Sequence, residues 1–145
     1  MKIAIGCDHA GPALKAEIMT HLDEKGFEYV DFGIQEGEKA DYPDKAKEVC
    51  EKVAAGEFDR AVLICGTGIG MSMSANKIKG IRAACCSDYF SAKYTRAHND
   101  ANVLCIGARV VGAGLAIELV DVFLDTQFEG GRHQRRVDKI SELEK

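Results

Sequence analysis

Residues 60–70 read RAVLICGTGIG, and this stretch decides the fold. After Arg60 come five residues whose only heteroatom side chain is a thiol, and the run ends in a loop where glycines stand at 66, 68 and 70. A short, nearly continuous apolar run is what a strand covered on both faces needs, since neither side of its pleat meets water. The glycine loop then leads toward a helical segment, which is the order of a strand–loop–helix unit in a parallel sheet.

Working outward, the same grammar repeats. Residues 2–7 (KIAIGC), 27–32 (FEYVDF, set between Gly26 and Gly33), 81–85 (IRAAC) and 102–106 (NVLCI) read as four more strands. Helical patterns are expected over 13–25, 42–55, 71–78, 88–97 and 112–123. In 13–25, Leu14, Ile18 and Leu22 recur every four positions and form one apolar stripe, with Gly26 as a natural stop. Ala116, Leu119, Val120 and Phe123 form a similar stripe. Five strand–helix steps imply an α/β chain, a Rossmann-like three-layer sandwich with a five-stranded parallel sheet. The tail 130–145 (GGRHQRRVDKISELEK) has no slot of its own in that sheet. It reads as a C-terminal helical arm that packs on a partner subunit. Neither a repeat nor a linker divides 1–145, so one domain is expected.

Bulk properties narrow the function. A formal net charge of -4 argues against nucleic-acid and membrane-surface partners, which select basic proteins. No run approaches the roughly 20 apolar residues that cross a bilayer, and the first residues are too polar for a secretion signal, so a cytoplasmic protein is expected. The six cysteines show no Cys-x-x-Cys spacing and no matching histidine, which leaves no metal site. Cys7, Cys65, Cys85 and Cys105 fall in or at the ends of apolar runs, where reduced thiols behave as small buried hydrophobes.

Parallel sheets bind ligands at the carboxyl ends of their strands, so residues just past each strand are the ones to read. They are Asp8 and His9, Gly66–Gly68, Ser87 and Asp88, and the stretch from Gly107 to Arg109. The loop amides around Gly66, Gly68, Ile69 and Gly70 are suited to an anion, either a phosphate or an oxyanion formed in a reaction. Cys65 has three readings. It is a strand-ending structural thiol, a phosphatase nucleophile, or a general base. The second fails because Cys-x5-Arg would need arginine where Met71 stands. The third fits, because amide donors lower a thiol's pKa. His98 ends a helix ahead of the fifth strand, on the opposite rim of the sheet from Cys65. Alone it is a helix-capping surface histidine. Arg132 and Arg136 lie four apart, so on a helix they share a face and can clamp one phosphate, or simply be solvated. Asp8 is either a ligand contact or the N-cap of the first helix.

Taken together, GCDHAG (6–11), DYPD (41–44), CGTGIG (65–70) with Ala75-Asn-Lys77, IRA (81–83), HND (98–100) with Asn102-Val-Leu104, and GGRHQ (130–134) onward to Arg136 resemble a known family. It is that of the type B ribose-5-phosphate isomerases and the related galactose-6-phosphate isomerase subunits. The resemblance runs in order over nearly the whole chain. It implies that Cys65 moves a proton between C1 and C2 of a sugar phosphate, and that Thr67 and His98 help open the ring. Asp8 would hold a ring or hydroxyl oxygen, and the amides from Gly66 through Gly68 and Ile69 to Gly70 would stabilise an enediolate. Arg132, Arg136, His9 and Arg109 would bind the phosphate, and Tyr42 and Asn99 would contact the sugar. Some members carry a glutamate in the loop instead of the cysteine. That position is Met71 here, so Cys65 must serve. The resemblance also implies a homodimer or homotetramer whose sites are shared between subunits, with no cofactor and no metal.

The activity expected is therefore aldose–ketose isomerisation of ribose 5-phosphate. A hexose 6-phosphate of the allose or galactose type is an alternative substrate. A non-enzymatic nucleotide-binding protein on the same sheet is the remaining reading.

Overall fold

The computed structural model describes all 145 residues. Its elements are β1 (Lys2–Cys7), α1 (Pro12–Lys25), β2 (Glu28–Asp31), α2 (Tyr42–Ala54), β3 (Arg60–Cys65) and α3 (Ile69–Ala75). They continue with β4 (Ala83–Cys85), α4 (Tyr89–Ala97), β5 (Val103–Gly107), α5 (Ala113–Asp125) and α6 (Arg132–Glu142). The strands form one sheet in the order β2-β1-β3-β5-β4, and every pairing is parallel. The strand order reverses at β1 and β3, which lie side by side while β2 sits beyond β1. A crevice at the carboxyl ends of those two strands is where such sheets place ligands.

Alternation along each strand builds the two faces. Ile3, Ile5, Val62, Ile64, Leu104 and Ile106 point to a layer closed by Leu14, Ile18 and Leu22 of α1 and by Leu119, Val120 and Phe123 of α5. Each of those helix side chains removed from water contributes about 2 kcal/mol. On the other face, Ala4, Leu63, Cys65 and Cys105 meet Val49 and Val53 of α2 and Met71 and Ala75 of α3. Both apolar stripes foreseen in the sequence are buried. Gly26 closes α1 at a φ of 76°, the left-handed value a glycine accepts freely.

Several boundaries differ from the sequence reading. The second strand omits Phe27 and Phe32, and the fourth begins at Ala83 instead of residue 81. Ile81 is buried under the sheet edge, so its apolar character reflects packing and not strand pairing. Helix α3 starts at Ile69, two residues earlier than expected, because the Ser72 N–H already reaches the Gly68 carbonyl at 3.0 Å. Asp8 is not a helix cap. Gly11 precedes α1, Pro12 occupies its first turn, and the Asp8 carboxylate instead accepts the Ala10 N–H at 2.9 Å. Cys85 is exposed and its neighbour Cys86 is buried, the reverse of the expectation for Cys85.

The arm forms helix α6, as foreseen. Its first half is seated on its own chain through buried His133 and Val137, and Glu144 beyond it accepts the Gly80 N–H at 2.9 Å. Ile140 and Leu143 remain exposed. No helix is long and apolar enough to cross a membrane.

Candidate active site

At the β1/β3 crevice, a cleft of ≈ 420 Å³ is lined by Asp8, His9, Tyr42, Cys65, Gly66, Thr67, Ile69, Gly70 and Met73. The loop after β3 is folded around the Cys65 sulfur. The Gly68 N–H donates to Sγ at 3.1 Å, and the Ile69 N–H donates to the Thr67 hydroxyl oxygen at 3.2 Å. Two of the five loop amides foreseen as facing a ligand are thus engaged within the loop. Those of Gly66, Thr67 and Gly70 have no protein partner.

The conformation depends on two glycines. Gly68 has a φ of 80°, and a Cβ there would lie 2.9 Å from the Ile106 carbonyl carbon and 3.1 Å from Cys85 Sγ. A Cβ on Gly107 would lie 2.6 Å from the Thr67 carbonyl. The loop rests directly on the end of β5. Backbone bonds from Ala108 N–H to Cys65 (2.8 Å) and from Arg109 N–H to Gly66 (3.0 Å) fasten it there. The Arg109 guanidinium lies over Gly66, where an added Cβ would be 3.3 Å from Nη1.

Cys65 differs from the other cysteines in its surroundings. Burial pushes Cys7 up to about 11 and Cys50 and Cys86 up to about 12, and it raises Cys105 well above its ordinary value. Burial, reinforced by the nearby Cys65, also raises Cys85. Those five are held as neutral thiols at ordinary pH. Cys65 alone has an amide N–H directed at its sulfur while lining the cleft.

A second cluster lies at the opposite rim. His98 follows the last residue of α4, and its Nε2 is 3.4 Å from a Glu129 carboxylate oxygen. Its ring stacks on His133 with centroids 4.1 Å apart and planes 11° from parallel, and it leans on Tyr94 at 4.8 Å. The segment after His98 is clamped. Arg82 donates to the Asn99 and Asp100 carbonyls, and the Asp100 carboxylate takes Arg96 at 2.7 Å and Arg82 at 3.2 Å. Burial, together with His98 and Arg132 nearby, lowers the His133 pKa, so that ring is neutral.

His98, Glu129 and His133 are close enough to raise the question of a metal. The nearly parallel ring planes answer it. In-plane lone pairs on stacked imidazoles run side by side and do not converge on one ion.

The foreseen residues therefore fall into two sets. Asp8, His9, Tyr42, Cys65, Thr67, the loop glycines and Arg109 meet at the carboxyl rim. His98, Asn99, Arg132 and Arg136 lie together at the other rim, with both arginines exposed on α6. One chain does not unite them. Glu129 was not singled out by sequence, and His133, Arg82 and Asp100 entered only inside quoted motifs, with no role assigned to them or to Arg96. Nothing in the spacing of positions 98 and 129 shows that a backbone bond from Glu129 N–H to the Ala97 carbonyl (3.0 Å) brings them together.

Residues 3–140 match the family described as Ribose/Galactose Isomerase. The chain belongs to that family. It is an isomerase of sugar phosphates, which removes the nucleotide-binding alternative. It is 54% identical over 143 residues to ribose-5-phosphate isomerase B of Escherichia coli, covering 99% of this chain and 96% of the relative. The fold superimposes on ribose-5-phosphate isomerase B of Clostridium thermocellum with a TM-score of 0.97 at 52% identity, covering 99% and 97% of the two chains. It matches the Mycoplasma genitalium ribose-5-phosphate isomerase B with bound ribulose-5-phosphate at a TM-score of 0.94 and 46% identity, covering 99% and 95%.

Proposed function

We propose that this isomerase interconverts ribose 5-phosphate and ribulose 5-phosphate, with Cys65 as the proton-transferring base. The observation that carries the reading is the Cys65 sulfur lining a cleft, with the Gly68 amide directed at it and three unpartnered loop amides beside it. The ribulose-5-phosphate held by a relative of the same fold supports the choice of sugar.

The reaction removes a weakly acidic proton beside a carbonyl and leaves charge on oxygen. Once the ring is open, the Cys65 thiolate takes the C2 proton of the aldose. The electron pair moves into a C1–C2 double bond, and the former carbonyl oxygen becomes the enediolate oxygen. The amides of Gly66, Thr67 and Gly70 face that charge, each such donor being worth about 3 kcal/mol. The thiol then returns the proton to C1, and the hydroxyl proton moves from O2 to O1. Asp8, nearly buried with one carboxylate oxygen spent on the Ala10 amide, presents its other oxygen to a sugar hydroxyl. Thr67 and His98 assist ring opening. Tyr42 and Asn99 contact the sugar, while His9, Arg109, Arg132 and Arg136 hold the phosphate, whose binding positions the distant reacting carbons.

Because the two residue sets lie at opposite rims of one chain, the complete site is formed between subunits of a homodimer or of a homotetramer built from such pairs. Each chain is one domain over 1–145 and brings Cys65 to one site and His98 to another.

The test is turnover of ribose 5-phosphate by the wild type and by Cys65→Ala, with EDTA present. Turnover that vanishes in a folded Cys65→Ala variant is expected, and turnover that survives it shows that another group is the base. The family's description also names galactose. Turnover confined to a hexose 6-phosphate of the galactose or allose type would select that second reading.

A further inference from the structure

His98 is packed by two rings and is otherwise partly exposed. One ring face is covered by His133 and another flank by Tyr94. Its Nε2 lies 3.4 Å from a Glu129 carboxylate oxygen as an ion-pair contact between side chains 36% and 51% exposed, and neither ring nitrogen is hydrogen-bonded within the chain. The Glu129 main chain is held beside His98, because its N–H is bonded to the Ala97 carbonyl, one residue before His98. The Arg96 guanidinium donates to the Thr126 carbonyl at 3.4 Å, which draws the same connecting segment onto α4.

We propose that Glu129 is a positioning residue for the ring-opening step, fixing the tautomer of His98 so that Nδ1 is the atom presented to the sugar. This rests on the proposal that His98 serves ring opening. A carboxylate accepting one ring N–H leaves the other nitrogen with its lone pair, and it steadies the imidazolium that forms next. Ring opening moves one proton from the C1 hydroxyl to the ring oxygen. In this arrangement the neutral Nδ1 takes the C1 hydroxyl proton as the bond from C1 to the ring oxygen breaks and the C1 carbonyl forms. The imidazolium then gives the proton to the ring oxygen. Protons balance, and His98 ends as it began. The charged group beside His98 is Glu129 from the connection before α6, while Arg132 and Arg136 of α6 act on the stacked His133.

The chemistry supplies a clean separation, since ribulose 5-phosphate is acyclic. Exchange of its C1 proton with deuterated water needs the base but no ring step. The experiment compares wild type, Glu129→Gln, Glu129→Asp and His98→Asn in two assays, ribose 5-phosphate turnover and C1 deuterium exchange into ribulose 5-phosphate. Expected for Glu129→Gln is a loss of about tenfold to a hundredfold in turnover, with exchange retained within about twofold. Glu129→Asp recovers part of the loss, and Glu129→Gln adds nothing in the His98→Asn background. Wild-type turnover in Glu129→Gln alongside an impaired His98→Asn overturns the role of Glu129 and leaves His98 in place. Equal loss of turnover and exchange in Glu129→Gln also overturns it, by showing a merely structural defect. Full turnover in His98→Asn removes the ring-opening role of His98 itself, and Glu129 falls with it.

Discussion

The Cys65 sulfur accepts the Gly68 N–H at 3.1 Å, so the proposed base and the residue that shapes its loop are joined by one hydrogen bond. That bond exists only while Gly68 holds its φ of 80° against the end of β5. A side chain there meets backbone at Ile106 and Gly107, which cannot swing aside. Gly68→Ala is expected to displace the loop and lower kcat about tenfold to a hundredfold, since roughly 1–2 kcal/mol of backbone strain adds to the clash. Steady-state kinetics on a variant with unchanged circular dichroism checks this. Wild-type kcat would mean that the loop amides are not what activates Cys65.

Gly70 makes a different contact, and a different kinetic signature follows. A Cβ at this position would lie 2.8 Å from the Tyr42 ring. Tyr42 is largely exposed at the start of α2 and can rotate away. Gly70→Ala should therefore leave the fold and Cys65 in place but unseat Tyr42 from the cleft. Expected is a KM raised about threefold to tenfold with kcat changed far less, the pattern of lost uniform binding. Tyr42→Ala should reproduce it, and the two changes together should not add. An effect confined to kcat would place Gly70 in the chemistry instead.

Most of the fold was legible because its signals are local. The RAVLIC run, the α1 stripe and Gly26 each depend on neighbours within a few positions, and all three form as read. The carboxyl-rim half of the site was legible for a related reason: in a parallel sheet, position just after a strand is itself a location. Phe27 and Ile81 are apolar for packing and not for pairing, and Cys85 sits on an edge strand only three residues long. The His98 environment was out of reach because Glu129 and His133 meet it only after α4, α5 and α6 have packed, although Tyr94 stands four positions before it on α4.

Lys15 is almost wholly buried, and its ammonium bonds both Asp31 carboxylate oxygens at 2.7 and 2.9 Å. Burial alone would raise the Asp31 carboxyl. Hydrogen bonds from Lys15, the Gly33 N–H and Gln35, with the Lys15 charge, outweigh burial and hold the carboxyl below its ordinary value of 3.8. A carboxyl depressed in the folded state contributes stability that is present above that ordinary value and lost as pH falls through the folded one. Asp31→Asn leaves a buried ammonium short of its counter-charge and should destabilise by about 3 kcal/mol at neutral pH. Urea unfolding from about pH 6 down to about pH 2 should show the gap between wild type and Asp31→Asn narrowing with acid. A gap independent of pH would show that the pair contributes through shape and not charge.

The opposite-rim placement of Cys65 and His98 leads to a prediction about subunits. If each site takes Cys65 from one chain and His98 from the other, Cys65→Ala and His98→Ala are each inactive alone for different reasons. In a mixed dimer of the two variants, one site holds both substitutions and the other holds neither. Random re-association of an equal mixture gives half mixed dimers, each with one intact site of two, so about a quarter of wild-type activity should return. Unfolding and refolding the variants together, with each refolded alone as control, measures it. Recovery near that level requires shared sites. No recovery, from mixtures shown by mass spectrometry to contain mixed dimers, would mean that Cys65 and His98 act within one chain, and His98 would then have to reach the carboxyl rim by a movement of α4.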